Sequence, residues 1–429
     1  MRVVYLTAGA AGMYCGSCMR DNTLVAALRA QGRDILLVPL YTPIRTDEPD
    51  VSESCVLYGA VNVYLQHRSP VFRRLPRLMD RLLDSPWLLK RVGRGGPRGE
   101  MEDLGRLTVS SLEGEEGSAG KEVRKLIAWL GEVRPDVVNI PNALFVQVAR
   151  PIREALGIPT VCTLTGEDIF IDRLTEPWRS RTVELIRREG GHVAGFVSVS
   201  DYYAGYCRER FAIPADRMHV VRLGVHVDGD GPRSDPAGEV FTVGYMARIC
   251  EDKGLHLVAA AMAELLRAGR NVRLLAAGYL GERDRPYLER VRCDLAAGGV
   301  AGAFAYLGEV DRVGKQGLLR SCDAFCVPAV YREPKGIYVL EALAEGVPVV
   351  LPRHGAFPEL VERTGGGVLV EPNDPHAVAE GLAGLMDDAG LRRRLGEQGR
   401  AAVLRSFTDE IMAKETWALY ERIHSESRR

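Results

Sequence analysis

Lysine is nearly absent from this 429-residue chain: of its 56 basic residues, seven are lysine and 49 are arginine. Each lysine is therefore a scarce position. Net charge is nearly absent too, at −1, which argues against a general affinity for polyanions such as nucleic acid. No apolar run approaches the ~18 residues needed to cross a bilayer. The opening, "MRVVYLTAG", reads as a strand and lacks a basic leader with a long apolar core, so no signal peptide is expected. Nine cysteines, an odd number in a chain this long, do not read as a disulfide framework. Cytoplasmic residence with reduced thiols is the resulting expectation.

What is present is ordinary for a globular protein: 46% hydrophobic and 26% charged residues. The length exceeds one ordinary core. Short apolar runs alternate with longer amphipathic ones, first through "VVYLTA", "ILLVPL", "DVVNI", "PTVCTL" and "GFVSVS", then through "VFTVGYM", "VRLLAAG", "FAYLG", "AFCVPA", "VPVVLP" and "GGGVLV". This alternation predicts parallel sheets covered on both faces, and two such series predict an α/β chain of two doubly wound domains. Residues 1–225 form the first, 226–240 a linker rich in Gly, Pro and Asp, and 241–409 the second. A C-terminal helix over about 410–429 is read as able to pack back on the first domain.

The rhythm breaks over residues 66–120. Phe72, Leu75, Leu78, Met79, Leu82 and Leu83 share one helical face, and arginines fill the other. Nine basic and two acidic residues between Gln66 and Arg98 give a local charge of +7. A helix packed on the core and a surface for anionic lipid or an anionic acceptor both fit. "GRGGPRGE" and "SLEGEEGSAG" read as mobile loop. In the linker, Asp228 and Asp230 read as solvated turn residues; the further ligands and closing Glu of a calcium loop are missing.

The most informative segment is "YREPKGIYVLEALAEGVPVV", residues 331–350. Glu333 lies on a loop and Glu341 on a helix that opens near Gly336 and can end at Gly346. Two carboxylates so placed can accept hydrogen bonds from two sets of hydroxyls, such as a ribose and a hexose. The helix start offers free N–H groups, at Gly336 and Ile337, to a phosphate between them. Upstream, "VGYMARICEDKGLHLV" places Gly244, Arg248 and Lys253 where a strand ends and a helix begins. A forked guanidinium and a compact ammonium suit a diphosphate. Surface cations near a helix start are the plainer alternative, but a helix N-terminus disfavours cations, so an anion is expected there.

The pattern "EPKGIYVLEA" resembles the Glu-Pro-x-Gly-x-x-x-x-Glu-Ala signature of the family-4 retaining glycosyltransferases, with Lys335 replacing the usual Phe. The resemblance covers most of residues 1–65 and 130–420. It implies the GT-B architecture, two Rossmann-like domains facing across a cleft. It further implies that Glu341 binds the nucleotide ribose, that Glu333 binds the donor sugar, and that Arg248 and Lys253 grip the diphosphate. "YLGEV", with Leu307 and Val310, resembles the base-contacting strand end, and "RHGAFPEL" at 353–360 the sugar-side loop. Gly16 and Ser17 fall in the family's Gly-rich turn after the first strand.

That turn belongs to "AAGMYCGSCMRDN", residues 10–22, whose Cys15 and Cys18 admit three readings. A redox pair at a helix start, half of a zinc site, and a loop that lets a ligand approach the backbone are all open. The family's first-domain histidines are missing: Asn139, Pro141 with Asn142, and Thr165 stand in their places. Glu167 and Asp168 are the nearest polar substitutes, although Asp168 could instead cap the following helix.

The expected activity is retaining transfer of a sugar from a nucleoside-diphosphate donor to an unidentified acceptor. No metal or further cofactor is expected, because Arg248 and Lys253 supply the charge. Glu333 and Asp168 complete the expected catalytic set. A nucleotide-sugar epimerase of similar shape and a non-catalytic nucleotide-sugar-binding protein are the alternatives.

Overall fold

The apolar runs become strands because a sheet covered on both faces buries every side chain of a short strand. The computed structural model describes residues 1–9, 15–54, 56–57, 101–227 and 239–429. The basic stretch 66–98, which includes part of "GRGGPRGE", and Asp228 and Asp230 lie outside the described residues. The described chain divides into two units, Met1–Arg222 with Asp409–Arg429, and Leu223–Thr408.

In the first unit, β1 (Arg2–Thr7), β2 (Asp34–Pro39), β3 (Val137–Ile140), β4 (Thr160–Leu164), β5 (Gly195–Ser198) and β6 (Met218–Val220) form one sheet in the order β2-β1-β3-β4-β5-β6. Every pairing is parallel. The second unit holds β7 (Phe241–Met246), β8 (Val272–Ala277), β9 (Phe304–Tyr306), β10 (Ala324–Cys326), β11 (Val349–Pro352) and β12 (Gly367–Val370), in the order β12-β11-β10-β7-β8-β9. These pairings are parallel as well. The two doubly wound sheets are those that the alternation predicted; only β6 has no counterpart among the runs singled out.

Strand order reverses once in each sheet, between β1 and β3 and between β7 and β10. Ligands of such sheets bind outside the strand C-termini at the reversal. In the second sheet, the chain leaving β7 carries Arg248 and Lys253, and the chain leaving β10 carries Glu333. Topology therefore delivers residues 80 positions apart to one place.

Two local readings differ from the structure. "SLEGEEGSAG" is a packed turn rather than a mobile loop. Ser111 and Leu112 close the helix Met101–Leu112, and Gly120 opens the helix Gly120–Val133. Between them Ser118 is buried and its amide donates to the Ser110 carbonyl at 3.2 Å. The first helix begins at Gly16, inside the stretch read as a turn, because the Cys15 carbonyl already accepts from the Met19 amide at 2.9 Å. Gly16 and Ser17 are thus the first helical residues and not part of the turn.

The C-terminal helix Asp409–Ser427 packs on this first helix. Met412, Trp417, Tyr420 and Ile423 share a core with Val3, Tyr5, Leu24 and Leu28. Tyr420 also reaches into the sheet, where its hydroxyl donates to Oδ1 of Asn139 at 3.1 Å. Tyr420→Phe should cost about 1 kcal/mol for the lost hydrogen bond. Tyr420→Ala should cost about 3–5 kcal/mol for the cavity as well. Urea denaturation measures both; two equally small losses would show that the helix is not part of this core.

Candidate functional site

At the reversal of the second sheet the loops after β7 and β10 are tied together, the Val330 amide donating to the Asp252 carbonyl at 2.8 Å. Lys253 closes the 3-10 turn Glu251–Lys253, just before the helix Leu255–Arg267. Its ammonium meets Oε2 of Glu333 in a direct ion pair and donates to the Tyr331 hydroxyl at 2.6 Å. The same ammonium lies 4.9 Å from the ring centre of Tyr331 and 5.0 Å from that of Tyr338.

Glu333 is only 2% exposed. Beyond the ammonium, its Oε2 accepts from the Tyr331 hydroxyl at 2.5 Å and from the Tyr338 hydroxyl at 3.0 Å. Among the described residues, its Oε1 accepts only the Lys335 amide, at 3.3 Å. Burial alone would raise the carboxyl, but the charge and hydrogen bond of Lys253, the Tyr331 hydroxyl and the charge of Lys335 outweigh it and bring it down to about 2. Glu333 is therefore an anion at any working pH. The sugar-side loop rests on its backbone: the Ala356 amide donates to the Glu333 carbonyl at 2.8 Å. A Cβ at Gly355, whose φ is +62°, would come within 2.6 Å of the Glu333 amide nitrogen and carbonyl oxygen. In that loop both ring nitrogens of His354 are shielded from solvent without a hydrogen-bond partner.

Glu341 sits on the helix Ile337–Ala344, which follows Gly336 in the left-handed region and has no side-chain cap, so its first N–H groups remain available. Its Oε1 pairs with Lys315 Nζ at 2.6 Å. Lys315, on the helix Arg312–Arg320, was not singled out in the sequence. The signal was there, because lysine is rare in this chain. Arg248 is exposed; its Nε contacts the Cys250 sulfur at 3.3 Å and its guanidinium approaches Asp252 at 3.8 Å. Leu307, at the end of β9, is 48% exposed, and Val310 is half-buried just beyond it. Gly244 lies inside β7, where a Cβ would press on the Cys322 sulfur at 2.6 Å, so packing accounts for it without a ligand.

Two family models match this chain: one described as glycosyl transferases group 1 over residues 232–402, and one described as glycosyltransferase family 4 over residues 102–228. The chain belongs to the family-4 glycosyltransferases. It is similar to the phosphatidyl-myo-inositol mannosyltransferase of Mycobacterium leprae, 28% identical over 69% of this chain and 75% of that protein. Its fold is similar to that of the sucrose-phosphate synthase from Thermosynechococcus elongatus, at a TM-score of 0.72 and 18% identity over 99% of this chain and all of that one. It is also similar in fold to Anabaena HepE, solved in complex with UDP and glucose, at a TM-score of 0.69 and 15% identity over 98% of this chain and all of that one. The likeness carries the two-domain α/β fold of the GT-B glycosyltransferases. None of the described helices is long and apolar enough to cross a membrane.

In the glycosyltransferase's first unit, the strand ends at the reversal are polar but largely closed on themselves. Oδ1 of Asp21 accepts from the Tyr5 hydroxyl at 2.8 Å and pairs with Arg20 at 3.1 Å; its Oδ2 accepts from the Thr7 hydroxyl at 2.9 Å. Asn139 accepts from Thr163 and Tyr420 inside the core, and Asn142 caps the 3-10 helix Ala143–Val148. The end of "CGSCMRDN" is thus a structural hub. Cys18 is buried against Cys15, and the hydrogen bond between them, with burial, pushes the Cys18 thiol well above its ordinary value. A redox nucleophile needs the opposite shift. Among the described residues no three His, Cys, Asp or Glu side chains converge as metal ligands. A Cβ on Gly16 would meet nothing within 4 Å, so the described fold does not itself require glycine there.

Of the two acidic substitutes, Glu167 is consumed by structure. Its carboxylate accepts from the amides of Ala143, Thr165 and Gly166 and from the Tyr203 hydroxyl, at 2.9–3.0 Å. Asp168 opens the helix Asp168–Arg173, which has no side-chain cap bond, so the capping reading fails. Its Oδ1 is shielded from solvent without a hydrogen-bond partner. Burial raises the carboxyl to about 6; the Tyr203 hydroxyl pulls it back, and the Glu167 and Asp172 charges add to the rise. A carboxyl raised in the folded state adds stability below its ordinary value of 3.8 and loses that contribution as pH climbs to about 6. Asp168→Asn should therefore be more stable than wild type above pH 6, by no more than about 3 kcal/mol, and equal to it below pH ~4. Denaturation at pH 4 and pH 7.5 measures this; a constant difference would place the shift elsewhere.

Proposed function

We propose that this glycosyltransferase takes a hexose from a nucleoside-diphosphate donor and transfers it with retention of anomeric configuration, without a metal. The observation that carries this reading is the meeting of Lys253 and Glu333 at the strand reversal of the second sheet. An ammonium and an ionised carboxylate sit side by side, one suited to a phosphate and the other to sugar hydroxyls. The Lys315–Glu341 pair joins the helices before and after β10 and suits the ribose. Leu307 and Val310 offer apolar surface to a base. Of the relatives named above, one is a mannosyltransferase and another was solved with UDP and glucose, which fits a hexosyl donor here.

As the sugar bond breaks, negative charge grows on the departing diphosphate. Arg248, Lys253 and the N–H groups of Gly336 and Ile337 oppose that charge. The acceptor attacks from the face that the diphosphate leaves, and the phosphate takes the acceptor's proton. Asp168, whose Oδ1 has no hydrogen-bond partner among the described residues, serves the acceptor.

Two experiments test this. In calorimetry, Glu341→Ala should weaken binding of the bare nucleoside diphosphate by roughly tenfold or more, since a hydrogen bond to a charged group is lost. Glu333→Gln should leave that binding nearly unchanged and weaken the sugar donor instead. A reversed pattern would mean that the two carboxylates exchange roles.

In kinetics, Arg248→Ala should lower turnover by roughly a hundred- to a thousand-fold with a smaller effect on donor binding, because charge develops late. Lys253→Ala should add a loss of roughly 3–5 kcal/mol in stability, because Glu333 is left buried and unpaired. Chelator should leave wild-type turnover intact; turnover lost with chelator and restored by a divalent cation would overturn the metal-free reading.

A further inference from the structure

The two oxygens of Glu333 are used very unequally. Oε2 takes three donors: the Lys253 ammonium, the Tyr331 hydroxyl at 2.5 Å and the Tyr338 hydroxyl at 3.0 Å. A carboxylate oxygen offers about two lone-pair directions, so Oε2 is saturated by the protein itself. Oε1 takes a single long bond from the Lys335 amide, at 3.3 Å, and keeps the remaining capacity. The phenols hold this asymmetry from both sides. Tyr331 lies two residues before Glu333 and also accepts from Lys253. Tyr338 is the second residue of the helix that follows Gly336, buried against Phe325 and Phe357. Neither hydroxyl has another hydrogen-bond partner among the described residues.

We propose that Tyr331 and Tyr338 are positioning residues that lock Oε2 of Glu333 and leave Oε1 alone to accept from the donor, so that the site reads one sugar hydroxyl rather than a neighbouring pair. The inference rests on the donor reading above and adds to it the rule by which the sugar is chosen. A carboxylate with both oxygens free would bridge two adjacent hydroxyls and gain from each. Here the second hydroxyl finds Oε2 already filled. Replacing either phenol by phenylalanine keeps the ring beside the Lys253 ammonium and removes only the hydroxyl. With the donor bound, Lys253 turns to the diphosphate and the two phenols alone fill Oε2, so the replacement frees a lone pair for a second sugar hydroxyl and loosens the hold on Oε1.

The test compares wild type, Tyr331→Phe and Tyr338→Phe by calorimetry. The probes are UDP, GDP, UDP-glucose, GDP-mannose and the 3-deoxy and 4-deoxy forms of both sugars. Wild type should show a penalty of about tenfold or more for one deoxy position and little for its neighbour. In the variants the first penalty should shrink and the second grow, with their ratio moving by about threefold or more, while UDP and GDP bind within about twofold of wild type. A merely structural role would weaken every sugar donor alike, or the bare diphosphates as well, and either result overturns the proposal. So does an unchanged ratio. Tyr331 is only half-buried, so its variant remains informative should the replacement of buried Tyr338 disturb folding. Wild type that binds UDP or GDP but no sugar donor would overturn the donor reading and this proposal together. Wild type that binds sugar donors with variant ratios unmoved would overturn the proposal alone.

Discussion

Glu333 must carry its charge in a place that water hardly reaches, and much of the second unit is arranged to permit this. Burying a carboxylate costs several kcal/mol unless a cation and hydrogen bonds offset the lost hydration. Lys253 supplies the cation, two phenols supply hydrogen bonds, and a third loop closes over the Glu333 backbone through Ala356. The phenols flank Glu333 in its own segment, while the cation and the closing loop come from elsewhere, so the constraint also links residues that sequence separates widely. It requires glycine at 355, where φ is +62° and any side chain would strike the Glu333 backbone. Because the strand order reverses between β7 and β10, the two loops can meet at all.

The first unit has the same reversal and treats it differently. Arg20 and Asp21 are as deeply buried as Glu333, yet the polar groups around them mostly satisfy one another. Their network extends through Thr163 and Asn139 to Tyr420 on the C-terminal helix. That arrangement uses charge for cohesion: it fixes the last helix of the chain to the first sheet. The second unit keeps its ionised groups at the strand ends, where a ligand can compete for them. The contrast explains why "CGSCMRDN" attracts attention in the sequence while its Arg and Asp face inward.

The fold was legible because apolar runs of strand length alternate with amphipathic ones, and a parallel sheet leaves few other solutions. The positions of Glu333, Glu341, Arg248 and Lys253 were legible because their spacing sits on recognisable strand-to-helix junctions. Other features were hidden for physical reasons. The helix starting at Gly16 has no capping side chain to announce it, since Cys15 contributes only its carbonyl. Gly244 looked like a ligand contact, but its small size serves Cys322 across the sheet, a neighbour 78 residues away that no local pattern reveals. Tyr331 and Tyr338 go unmarked, because nothing in a linear pattern says where a phenol oxygen points. Glu167 and Asp168 are adjacent and chemically alike; only their hydrogen bonds separate a structural carboxylate from one with capacity to spare.

The use of lysine follows from the same electrostatics. In a chain with seven lysines against 49 arginines, two of the seven pair with the two motif glutamates. An ammonium is compact, has three donors that rotate freely, and can sit between a carboxylate and two aromatic rings. A guanidinium carries five donors in a rigid fork, each needing a partner when buried. Arg20 shows the cost: even inside a dense polar hub its Nε finds no acceptor. Among the phenols that already saturate Oε2 of Glu333, further fixed N–H groups would be left unpaired or would compete for the same oxygen. An ammonium avoids both, and beyond its ion pair it makes a single hydrogen bond, to the Tyr331 hydroxyl. Both motif glutamates of the second unit are met by lysine, whereas the buried arginine of the first unit leaves its Nε unpaired.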